Sequence, residues 1–170
     1  MIQPLIELYK LIKEKKTAFT DRGLAGEFFI DIYRGQPFTP ELFEYFPLPA
    51  IFADFQITGQ GKNQPRKVTM TLHVLTDVMP DASNISENQI DGLKRFMYHL
   101  TLQDILEGAK LGATSQLKFI NEALIDVPVI NYHTQIYEFE SYLNHLFVDE
   151  SDYSVGEFTR ANTYGQLNEL

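Results

Sequence analysis

The stretch "KVTMTLHVLTD", residues 67–77, alternates nearly without fault. Val68, Met70, Leu72 and Val74 point to one side, and Thr69, Thr71 and His73 to the other. This period of two describes a strand with one buried and one polar face. Just before it, "TGQGKNQPR" (58–66) holds two glycines and a proline, which is turn material. Before that, "AIFADFQI" (50–57) alternates again, with Ile51, Ala53, Phe55 and Ile57 against Phe52, Asp54 and Gln56. Two alternating strands around a turn make a β-hairpin. Its connection is longer than the usual span of about two to five residues, so this is a long β-hairpin.

Further out, "MIQPLIELYKLIKEKK" opens the chain. Ile2, Leu5, Leu8, Tyr9 and Ile12 share a helical face opposite Glu7, Lys10 and Glu14, with Leu11 the misfit. The pattern fades at "TAFTDRG". "EFFIDIYRG" then reads as a strand, with Phe28, Ile30 and Ile32 on one face and Phe29, Asp31 and Tyr33 on the other. "QPFTPELFEYFPLP" reads as an ordered loop or one helical turn at Pro40–Tyr45.

Beyond the hairpin, Ser86 and Gln89 have the spacing of a capping box. Ile90, Leu93, Phe96, Met97 and Leu100 then share a helical face. Leu102, Ile105 and Leu106 lie on a face rotated by well over a right angle. A break near Thr101 is therefore expected, with Thr101 and Asp104 capping a second short helix that ends at Gly108 or Gly112. "TSQLKFINEALID" holds at most a short strand. In "VPVINYHTQIYEFESYL", Ile130, Tyr132, Thr134 and Ile136 share one face, and Asn131, His133 and Gln135 the other, followed by Tyr137 and Phe139. The apolar side changes near Tyr137, which suggests a bulge or an edge that meets another chain. The expected class is α+β, an antiparallel sheet of about four strands with helices packed on one face. Residues 1–145 form one domain, and residues 146–170 an acidic C-terminal arm.

Composition narrows function. The 170 residues are 44% hydrophobic, carry a net charge of −9 and include no cysteine. Disulfides, thiolate metal sites and cysteine nucleophiles are excluded. General binding of nucleic acid over the surface is not expected of so acidic a chain. No apolar run approaches the ~20 residues of a membrane span, and the N-terminus lacks the order of a secretion signal.

No Walker A, G-x-S-x-G or G-x-G-x-x-G motif is present. No catalytic, cofactor-binding or metal residue is assigned. His73, His133 and Asp54 could share an exposed sheet face as a metal or acid–base site; the simpler reading is three polar residues facing solvent or a neighbour. Lys62, Arg66 and Lys67 gather at the hairpin connection, either as a solvated turn or as a contact with a partner or with a lumen. Aromatics on the second strand faces (Phe29, Tyr33, Phe52 and Tyr137) either pack beneath loops or meet another subunit. Tyr137, Phe139, Tyr153 and Phe158 are the candidate subunit contacts.

The order of these elements resembles the tail-terminator (tail-completion) family of tailed bacteriophages. "LIELYKLIKEKK", "FFIDIYRGQ", "FPLPAIFADF", "VTMTLHVLTD", "LKRFMYHLTLQDILEG" and "VINYHTQIYEFE" fall in the family's order, over residues 2–142. The chain beyond them departs from the short family pattern. The resemblance implies a non-enzymatic, cofactor-free virion protein assembled in the host cytoplasm. It implies a homo-oligomeric ring of six that caps the tail tube, ends its polymerisation and joins it to the head–tail connector or stopper, with DNA passing through the lumen. The alternatives are another neck ring, stopper or adaptor, and a small ligand-binding α+β domain with a pocket between helices and sheet.

Overall fold

The computed structural model describes residues 1–39, 45–59, 61–77, 82–125, 127 and 130–147. The helical turn expected at Pro40–Tyr45 and the arm with Tyr153 and Phe158 fall wholly or largely outside these residues.

The elements run α1 (Ile2–Glu14), α2 (Lys16–Thr20), β1 (Phe29–Ile32), β2 (Ala50–Thr58), β3 (Arg66–Thr76), α3 (Gln89–Leu106), β4 (Lys118–Ile125) and β5 (Asn131–Ser141), then a 3-10 turn, Leu143–Leu146. This is an α+β chain with one sheet of order β1-β2-β3-β5-β4. It has five strands rather than four. "KFINEALI" forms a full edge strand, and β1 runs parallel to β2 while the other neighbours are antiparallel. Among the described residues, no helix is long and apolar enough to cross a membrane.

Alternation assigns the strand faces. Val68, Met70, Leu72 and Val74 are buried against the helices, with Ile51 and Ala53 beside them on β2. Leu5, Leu8 and Ile12 of α1 close this core, as the helical pattern requires. α2 adds Phe19, buried where the helical pattern of the sequence fades. Leu102 and Leu106 come from α3.

The opposite face is half covered. Ala50, Phe52, Leu75 and Tyr132 form a second cluster with Phe29, Tyr33, Phe46 and Leu48 packed on it. The second-face aromatics Phe29, Tyr33 and Phe52 thus pack within their own chain. β3 is consequently half-buried near Arg66 but buried on both faces from Leu72 to Thr76. His73 lies under this cover. Its ring stacks on Tyr33 at 3.7 Å, and its Nδ1 is 2.6 Å from the Tyr132 hydroxyl.

Three further expectations are corrected. First, α3 is one continuous helix with Thr101 buried inside it. Both apolar rows occur on it, but among the described residues only one is fully buried. Second, the capping box does not form. Ser86 Oγ accepts the Asn88 N–H at 3.1 Å, and the helix starts at Gln89. Third, β5 has no shift against β3 and lies inside the sheet. The irregularity is in β4, between Phe119 and Asn121. Register puts His133, Gln135, Tyr137 and Phe139 opposite Val74, Leu72, Met70 and Val68, all toward the helices. Tyr137 and Phe139 are therefore core residues rather than subunit contacts.

Candidate partner interface

An 18-residue helix with two apolar rows on different faces must find two coverings. Tyr98, Thr101, Leu102 and Leu106 meet the body of the molecule, and the Tyr98 hydroxyl accepts the Ala25 N–H at 2.9 Å. Of the other row, Met97 packs partly buried against the core, and the rest is exposed. Ile90 is 74% exposed, Leu93 and Phe96 39%, and Leu100 63%.

The sheet extends this row. Leu124 of β4 pairs in register with His133, and Phe96 meets the His133 ring edge-on at 6.3 Å. The helical row and the strand edge thus border the same histidine. Leu124 is 55% exposed, and Ile120 beside the β4 irregularity is exposed as well. Among the described residues β4 pairs only with β5, so its outer backbone edge is open. Charges frame the patch. Lys94 pairs with Asp91 at 2.7 Å, and the Arg95 guanidinium lies 4.8 Å over the Phe96 ring. A row of large apolar side chains beside an open strand edge, rimmed by charge, has the make-up that protein–protein interfaces use.

The three basic residues gather at the turn end of β2 and β3. Lys62 is exposed, and Arg66 is partly buried. Gly59 leaves the space that the Arg66 guanidinium occupies, where a Cβ would collide with it. Lys67 bonds Glu138 of β5 at 2.7 Å, so part of this charge is neutralised within the chain.

His73, His133 and Asp54 do not form a site. Register puts His73 and Asp54 on one face of the sheet and His133 on the other. Burial lowers the pKa of His73 to about 4, against the opposing charge of Asp54. His133 instead meets His99 of α3 and Glu122 of β4, and the donor atoms of the three lie within 4.8 Å of one another. His99 was not legible as a partner, because nothing in its spacing from residues 122 and 133 announces that α3 crosses β5 there. A groove of about 480 Å³ runs beside α1, lined by Tyr9, Ile12, Lys13, Lys16, Glu27 and Phe28 among others. Its lysines are exposed and Lys16 already faces Glu27 at 3.9 Å, so it lacks convergent buried polar groups. No protein-family model and no curated protein matches the chain.

Proposed function

We propose that this chain is a structural virion protein of a tailed phage. It forms a ring at the neck, caps the tail tube, ends its polymerisation and joins it to the head connector. The exposed apolar row of α3 carries this reading. A folded chain that leaves Ile90, Leu93, Phe96 and Leu100 uncovered, beside an open β4 edge, has a surface that assembly would cover. A closed ring of identical copies joins two different surfaces head to tail. The patch lies at the β4 end of the sheet, and β1 at the other end leaves Ile32 exposed for a neighbour. The order of elements described above supplies the neck assignment and the six copies. A stopper or adaptor ring would use the same surfaces and differ in which neck protein it touches. Native mass spectrometry over a range of protein concentrations tests the ring. Six-copy species are expected to grow with concentration, alone or with the tail-tube protein. A monomer under both conditions contradicts the reading.

A further inference from the structure

Among the described residues, His99 and His133 together hold four of the buried side-chain polar atoms that lack a hydrogen-bond partner. Their rings stack at 3.5 Å with 17° between planes, and they are 1% and 3% exposed. None of the four ring nitrogens has a hydrogen-bond partner. Glu122 Oε1 is 3.5 Å from His133 Nδ1, too long for a good hydrogen bond. Neutral imidazoles each carry one donor and one acceptor. Apart from the long approach of Glu122 Oε1, two donors and two acceptors are therefore buried without a partner, which native cores rarely tolerate.

The surroundings are built rather than accidental. Gln135 Nε2 donates to Glu122 Oε2 at 2.9 Å and to the His99 carbonyl at 2.8 Å. The Tyr137 hydroxyl donates to Gln135 Oε1 at 3.1 Å. Oε2 of Glu122 is thus occupied, and Oε1 is left toward the histidines. Such hydrogen bonds to a ligating carboxylate are the usual support of a metal site. Glu122 is partly exposed, so ions and water can reach the cluster from the β4 edge.

We propose that His99, His133 and Glu122 bind one zinc ion, which pins α3 to β4 and β5. Two imidazoles and one carboxylate suit zinc and its first-row neighbours far better than magnesium or calcium. One nitrogen from each ring and Oε1 supply three ligands, and a water from the exposed side of Glu122 supplies the fourth. The in-plane lone pairs of the stacked rings lie in nearly parallel planes, so one ring must turn out of the stack as the ion enters. The donors must also draw together by at most about 1.5 Å to reach tetrahedral spacing. Ligation needs neutral imidazoles, the form that burial away from water favours. The charge of Arg95 opposes an ion, but its guanidinium is drawn over the Phe96 ring. The ion would satisfy two of the four orphaned nitrogens and lock the helix whose other face is largely exposed.

The test uses the full chain without a polyhistidine tag, stripped with chelator and titrated with zinc by calorimetry. One ion per chain is expected. The melting temperature should rise by about 5–10 °C at zinc about 100 times the Kd, with no rise in magnesium. Cobalt should give the visible absorption of a four-coordinate ion. Glu122→Gln preserves the bond from Gln135 and should fold, yet weaken zinc at least about 10-fold; Tyr137→Phe should weaken it by about 10-fold. His73→Gln, outside the cluster, should leave binding unchanged. Absence of one-to-one binding, or a zinc affinity indifferent to Glu122→Gln, would overturn the site even if histidine variants fail to fold.

Discussion

His73 shows how a single position in an alternating strand can be assigned to the right face and the wrong environment. It does point away from Leu72 and Val74, as the alternation of "TMTLHV" requires. That face is nevertheless closed over it by Tyr33 and Tyr132. Period-two patterning reports which side a residue takes; it does not report what covers that side. Burial has a consequence in pH. The folded chain holds His73 neutral down to about pH 4, whereas an unfolded chain protonates it near 6.5. Between those values the unfolded state binds more protons, so stability is full above about 6.5 and falls as pH drops toward 4. Denaturant titrations at pH 7 and pH 5 should show this. His73→Phe keeps a ring for the Tyr33 stack and should remove on the order of 1 kcal/mol of the loss between those pH values. An identical pH dependence in the variant would mean that His73 is solvated in the folded state.

At the level of elements, the readable parts were those whose pattern and covering agree. Leu5, Leu8 and Ile12 on α1 and Val68, Met70 and Leu72 on β3 are buried as their spacing demands. Two elements misled for physical reasons. On α3, two apolar rows more than a right angle apart implied a break, on the premise that a chain buries all of its apolar rows. The helix runs on unbroken and leaves most of one row exposed. On β5, polar Asn131, His133 and Gln135 suggested a solvent face. Gln135 is buried there because the His99 carbonyl, Glu122 and Tyr137 satisfy it. Such pairing crosses three elements and leaves no local trace. Leu100 and Leu102 separate the two rows. Leu102→Ala removes a fully buried side chain and should cost about 2–5 kcal/mol. Leu100→Glu, on the exposed row, should change monomer stability by no more than about 0.5 kcal/mol and abolish self-association. Chemical denaturation and sedimentation distinguish them. A Leu100→Glu chain that assembles normally would remove the α3 row from the interface.

At the scale of the molecule, charge of the minority sign collects at the turn between β2 and β3. Thr58 and Lys67 are register partners, so a two-residue Asn-Gly turn can replace residues 59–66 without breaking the ladder. This variant should fold, with a melting temperature within a few degrees of the parent, and should fail in particle assembly. Normal particles from it would reduce the connection to plain hairpin closure.

The ring that caps a tube is the central claim, and tube length measures it most directly. Tail-tube protein polymerised in vitro, with and without the purified chain, can be sized by electron microscopy. Tubes that stop growing when the chain is added, each with a ring at one end, are the predicted result. Tubes that lengthen unchanged, with no density at either end and the chain still monomeric in solution, would contradict the account.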